Sequence, residues 1–118
     1  MEFQAALPIY LQVKTMIKRD IVAGVLQPGE KMPSVRELAL QFTINPNTVS
    51  RVYRELEAEG ICFTRRGMGT FVTENPGIVR QLQEEMAQEL MAHFLNGMNQ
   101  LGFSREEAIL MIKENSEC

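Results

Sequence analysis

Asn47, Ser50, Arg51 and Arg54 recur at intervals of three and four, which puts them on one face of a predicted helix. An asparagine there offers a donor and an acceptor together, as a base edge requires, and an arginine reaches a guanine or a phosphate. Thr48 and Ser50 add short hydroxyls suited to phosphates or close base contact. Further along, Arg65-Arg66-Gly67 joins two guanidinium groups to a residue that lets a backbone come close, a pairing suited to a sugar-phosphate chain or a minor groove. Upstream, Arg36 falls in the first turn of another predicted helix, where free backbone N–H groups also favour a phosphate. The implied chemistry is recognition of a polyanion with readout of bases.

One basic residue on an exposed helix is ordinarily just solvated, so the case rests on the elements that hold several together. The first helix is expected from near Pro8, with Tyr10, Val13, Ile17 and Ile21 at helical spacing, Leu11 beside them and Gly24 as its stop. Gln27-Pro28-Gly29 signals a turn. Ser34 and Glu37 form a capping box for the second helix, whose apolar stripe is Val35, Leu38, Ala39 and Phe42; Arg36 faces outward. After the connector Thr43-Ile44-Asn45, Asn45 caps the third helix and Pro46 takes its first position. That helix runs to about Glu59, buries Val49, Val52, Tyr53 and Leu56, and stops at Gly60. Strand-like stretches at 61–64 and 70–73 flank Arg65-Arg66-Gly67-Met68-Gly69, predicting a hairpin with an arginine tip. Two helices joined by a three-residue turn and followed by a hairpin make a winged helix-turn-helix.

Composition shifts at Asn75-Pro76-Gly77, which sets the expected boundary between a DNA-binding domain (1–75) and a helical tail (76–118). The tail predicts a helix from Ile78 to about Leu101, with Leu82, Met86, Leu90, Phe94 and Met98 along one side. Gly102 breaks it, and a second capping box, Ser104 with Glu107, opens a last helix carrying Ala108, Ile109 and Ile112. So long an apolar stripe has no obvious partner inside so short a tail, so these residues, with Ile109 and Ile112, are expected to form a homodimer interface. The fold class is mainly α with a small β-hairpin: an N-terminal winged helix-turn-helix and a C-terminal two-helix dimerisation tail.

A net charge of −3 looks wrong for a nucleic-acid binder, but its distribution matters more than its sum. Residues 31–72 hold six basic and four acidic side chains, whereas residues 76–118 hold three and seven. The acidity belongs to the tail. Cys62 and Cys118 stand apart from each other and from the lone His93, which argues for plain thiols and against a metal centre. No nucleophile–base set or phosphate loop emerges, and Gly67-Met68-Gly69 lies between strands instead of opening a helix, so no enzyme and no cofactor are expected. No membrane-length apolar run or basic N-terminal leader is present, and a soluble cytoplasmic protein is expected.

Residues 8–73 resemble the GntR family of bacterial transcription regulators. The resemblance is carried by Pro8-Ile9-Tyr10, the run from Leu26 to Ala39, Asn47-Thr48-Val49, the run from Arg54 to Gly60, and the run from Arg66 to Val72. The short tail is similar to that of the YtrA subfamily, in which it serves dimerisation. The resemblance implies a repressor of a nearby operon, often one encoding an ABC transporter, bound as a homodimer to a palindromic double-stranded operator. The expected DNA-binding residues are Lys31, Ser34 and Arg36 around the second helix start, then Asn45, Asn47, Thr48, Ser50 and Arg51. The wing adds Arg65, Arg66 and Gly67. Arg36, Thr48 and Gly67 match the family directly. Members with long effector domains carry arginines at the positions of Pro46 and Ser50, which this chain lacks, so Asn47 with Arg51 is the expected substitute. Two alternatives stand beside this reading. One is an effector-gated regulator whose small-molecule site lies in or near the tail, among Met86, Met91, Phe94, Met98, Phe103 and Met111; the other is a protein-interaction module without DNA.

Overall fold

The computed structural model describes residues 7–115. Their order is α1 (Ile9–Val22), α2 (Val35–Phe42), α3 (Pro46–Ala58), β1 (Cys62–Arg65), β2 (Gly69–Val72), α4 (Pro76–Gln100) and α5 (Arg105–Glu114). This is the expected architecture of helices, one hairpin and a helical tail. Cys118 lies outside the described residues.

Periodicity explains the core. Val13, Ile17 and Ile21 of α1 are buried against a stripe on α3, where Val49, Val52, Tyr53 and Leu56 are all buried as their spacing predicts. On α2 only Leu38 and Ala39 are buried; Val35 and Phe42 are half-buried, because an eight-residue helix spans little of the core. Pro8 sits at the cap position of α1, which begins at Ile9, beside the expected start. Lys14 ties α1 to α3: its Nζ lies 2.9 Å from Glu55 Oε1 and also pairs with Glu59. Burial pulls the Lys14 pKa down, but hydrogen bonds and charges from Glu59 and Glu55 outweigh it and hold it above the ordinary lysine value.

The end of α3 shifts the hairpin. Gly60 adopts φ 76°, and the Ile61 N–H returns to the Leu56 carbonyl at 2.9 Å. This left-handed stop consumes Ile61 as a helix cap. The strands lie at 62–65 and 69–72 instead of 61–64 and 70–73: the base gives up Ile61, whose carbonyl still accepts the Thr73 N–H at 2.9 Å, and the tip gains Arg65 opposite Gly69, with Cys62 opposite Val72. A further backbone segment joins them. Met32 N–H donates to the Thr70 carbonyl at 2.7 Å, Val72 N–H to Glu30 at 2.9 Å, and Lys31 bridges Phe71. Residues 30–32, which follow the expected turn at Gln27-Pro28-Gly29, thus lean on β2 through an isolated bridge.

α4 starts at Pro76, two residues before the expected Ile78. Asn75 Oδ1 accepts the Gly77 N–H at 2.9 Å, so the Asn-Pro pair starts a helix here as Asn45-Pro46 does at α3. The first compact unit reaches to Leu82, which is buried within it; the second begins at Gln83. In that second unit Gly102, at φ 90°, ends α4, the Ser104–Glu107 box opens α5, and Ala108 is fully buried. Large apolar groups stay outside: Leu90 is 62% exposed, Phe94 41%, Ile109 43% and Ile112 55%. Met86 and Met98 are half-buried. Among the described residues no helix is long and apolar enough to cross a membrane.

Candidate nucleic-acid interface

The helix-turn-helix is set by its two caps and the bend between them. Ser34 Oγ accepts the Glu37 N–H at 3.1 Å, while Glu37 Oε1 accepts the Ser34 N–H at 3.0 Å. The Ser34 N–H, with the Ser34 hydroxyl second, holds the Glu37 carboxyl below the ordinary carboxylate range. At α3, Asn45 Oδ1 accepts the Asn47 N–H at 2.8 Å. Between the helices Thr43 adopts φ 54°, and the Ile44 N–H closes back on the Ala39 carbonyl at 3.0 Å. A β-branched residue in the left-handed region is uncommon and is tolerated only where surrounding structure fixes the bend. Tyr53 completes the clamp from α3 through its hydroxyl, which donates to the Pro33 carbonyl at 2.6 Å.

The expected DNA-binding residues separate into groups on this frame. Ser34 and Asn45 spend their side-chain oxygens on helix caps. Asn47 and Arg54 are exposed along the outer face of α3, with Thr48 and Ser50 half-buried beside them. Arg36 is exposed in the first turn of α2. Arg51 takes a different course: its Cζ lies 3.5 Å from the centroid of the Tyr10 ring on α1, and its Nε donates to Glu55 Oε2 at 3.0 Å. The Glu55 contact follows from i,i+4 spacing and was readable in the sequence; the Tyr10 contact was not.

The wing presents its arginines differently. Phe63 and Phe71 stack at 5.6 Å across the hairpin, and the Arg65 guanidinium lies 5.5 Å and 5.8 Å from their ring centroids. Arg66 is exposed in the Arg66-Gly67-Met68 loop. Gly67 adopts φ 78°, and a Cβ there would meet nothing within 4 Å, so the tip is open to an approaching partner. Lys31 and Ser34 are brought together with Met68, Gly69 and Thr70 around a groove of about 390 Å³ between the start of α2, α3 and the wing. Lys31 packs so closely that a Cβ on Gly69 would sit 2.9 Å from its Cε. Glycine at that strand position, at φ 118°, leaves room for the lysine beside the wing.

Comparison with known proteins agrees with this geometry. The family model described as "Bacterial regulatory proteins, gntR family" matches residues 9–72. The chain is similar to the uncharacterized HTH-type transcriptional regulator YhcF of Bacillus subtilis, with 44% identity covering 98% of this chain and 96% of that protein. It is 42% identical to the HTH-type transcriptional repressor YtrA of the same organism, covering 77% of this chain and 75% of YtrA. Among solved structures, a GntR family transcriptional regulator from Listeria monocytogenes superposes with a TM-score of 0.87 at 38% identity, covering 95% of this chain and 98% of that one. A family match over more than half the chain and a relative matched along nearly its whole length establish that the chain belongs to the GntR family of bacterial regulatory proteins, as a helix-turn-helix transcriptional regulator and not an enzyme.

Proposed function

We propose that the chain is a YtrA-like repressor that binds a palindromic operator as a homodimer. The observation that carries this reading is the exposed polar face made by Asn47 and Arg54 on α3, Arg36 on α2 and Arg66 at the wing tip. In this reading α3 enters the major groove, Asn47 and Arg51 read bases, and Thr48 and Ser50 make close hydroxyl contacts. Lys31, Arg36 and the wing arginines hold the backbone, with Gly67 giving room at the tip. Ser34 and Asn45 line the same surface while capping their helices. Similarity to a protein named as a repressor supports the regulatory sense, and the short helical tail supports the subfamily.

The DNA-binding part is taken as residues 1–75 and the dimerisation part as 76–118. Dimerisation is supported by apolar groups that one chain leaves in water, chiefly Leu90, Phe94, Ile109 and Ile112, with half-buried Met86 and Met98. Leu82 is already covered within its own chain. Two recognition helices related by a two-fold axis would meet half-sites about 34 Å apart. Selection of duplexes from a random library, with sedimentation of the complex, tests the reading. A two-fold-symmetric sequence bound by two chains is expected; a preference for no sequence, or one chain per duplex, counts against it.

A second reading, an effector-gated regulator, is favoured by one feature of the tail. Leu95, Asn96, Asn99, Phe103 and Arg105 line a groove of about 360 Å³ that combines an aromatic wall, two amides and a guanidinium. A metabolite that raises the melting temperature and weakens DNA binding, with both effects lost in Arg105→Ala, would establish it.

A further inference from the structure

Among the expected base readers, Arg51 has its guanidinium held by other side chains of the protein although the side chain is half exposed, and the engagement is layered. The Tyr10 ring lies under it at 3.5 Å, and Glu55 Oε2 holds its Nε at 3.0 Å. The other Glu55 oxygen accepts from Lys14 Nζ at 2.9 Å, Lys14 also pairs with Glu59, and Glu59 meets Lys18 at 3.2 Å. The carboxylate that grips Arg51 is therefore itself fixed by α1. Tyr10 sits in the first turn of that helix, one turn before the fully buried Val13. Both restraints thus rest on the packed core.

A flexible arginine loses rotamer freedom when it binds, whereas a restrained one has already lost it. With Nε committed to Glu55, the two terminal nitrogens remain, and two parallel donors are what the O6 and N7 of a guanine accept. We propose that Tyr10 is a specificity-determining positioning residue: with Glu55 it fixes the Arg51 guanidinium so that its terminal nitrogens serve a base edge. The inference rests on the reading of α3 as the recognition helix. It adds to that reading a residue of α1 that touches no base.

The test uses the full chain and two duplexes, one selected from a random library by the wild-type protein and one of scrambled sequence. The readout is the ratio of the two affinities. Tyr10→Phe keeps the ring and should keep the ratio. Tyr10→Leu should lower it roughly two- to tenfold. In an Arg51→Ala background Tyr10→Leu should lower it no further. Glu55→Gln should also lower the ratio, although removing a negative charge raises affinity for both duplexes. If Tyr10→Leu fails to fold, the Glu55→Gln and Arg51→Ala pair carries the same cycle. An unchanged or increased ratio in Tyr10→Leu overturns the proposal, as does an equal loss in the Arg51→Ala background. A ratio unmoved by Arg51→Ala removes Arg51 from base reading and the proposal with it. Wild-type preference for the selected duplex tests the broader DNA reading separately.

Discussion

The Tyr53 hydroxyl donates to the Pro33 carbonyl at 2.6 Å, fastening the middle of α3 to the residue that precedes the cap of α2. The two helices are neighbours in sequence but share few residues across so short a turn. A part-buried hydrogen bond from α3 to the residue just before the α2 cap therefore helps to set their angle, and with it the spacing of Arg36 from Asn47. Tyr53→Phe leaves the Pro33 carbonyl without this donor and should cost about 1 kcal/mol of unfolding free energy in urea denaturation. Burial, with smaller contributions from the charges of Cys62 and Glu37, pushes the phenol well above its ordinary value of 10.0. A raised folded-state pKa means that the native protein keeps a proton that the unfolded chain gives up. Stability from this group is thus complete below pH 10 and is lost as pH rises toward the folded-state value. The wild type should lose stability more steeply above pH 10 than Tyr53→Phe; parallel alkaline limbs would refute the assignment.

Two capping boxes supply an opposite pH dependence. The serine N–H, with the hydroxyl second, holds Glu37 and Glu107 below the ordinary carboxylate range. A depressed folded-state pKa contributes stability at neutral pH that is lost as pH falls through it. Glu107→Gln should flatten the acid limb of unfolding followed by circular dichroism. Ser34→Ala and Ser104→Ala should each cost about 1 kcal/mol at neutral pH. Loss of stability in neither serine variant would show that the caps are redundant.

DNA contacts separate by salt. Arg36→Ala, at an expected phosphate contact, should weaken binding to selected and scrambled duplexes alike and reduce the salt slope by about one. Arg51→Ala should cost about 1–3 kcal/mol on the selected duplex and little on the scrambled one. Fluorescence anisotropy across a salt series distinguishes them, and an unchanged slope in Arg36→Ala would take that residue off the backbone.

The tail makes its own prediction. Leu90 and Phe94 are 62% and 41% exposed in one chain, so charges at these positions disturb a monomer little. In the proposed dimer they would bury a charge without a partner. Leu90→Glu with Phe94→Glu should give a folded chain that sediments as a monomer and binds the selected duplex weakly. Retention of the wild-type sedimentation coefficient would move the interface elsewhere.

Local physics was legible in the sequence. Ser34 with Glu37, Ser104 with Glu107 and Asn45 with Pro46 each act over a few residues, and each starts a helix where their types require. Val49, Val52, Tyr53 and Leu56 are buried because one turn of helix relates them. The exposed face opposite them follows from the same period, so most of the candidate site could be listed before any fold was known.

Tertiary structure decided what depends on partners far along the chain. The stretch around Lys31 carries no signal of its own in the sequence, and only the edge of β2, some forty residues away, gives it a bridge partner. The hairpin lost Ile61 from its base because that residue's N–H closes α3, where a helix stop and a strand start compete for one N–H, while its tip gained Arg65 opposite Gly69. Asn75-Pro76 marks a change in composition and also the start of α4, two residues before the expected Ile78, since an asparagine before a proline starts a helix as readily as it makes a turn. Arg51 belongs to the outer face by its spacing, yet its guanidinium lies against Tyr10, 41 residues earlier in the numbering, because packing of α1 on α3 brings ring and cation together. Periodicity fixes the face from which a side chain leaves a helix; only the neighbouring helix fixes where a long, flexible one ends.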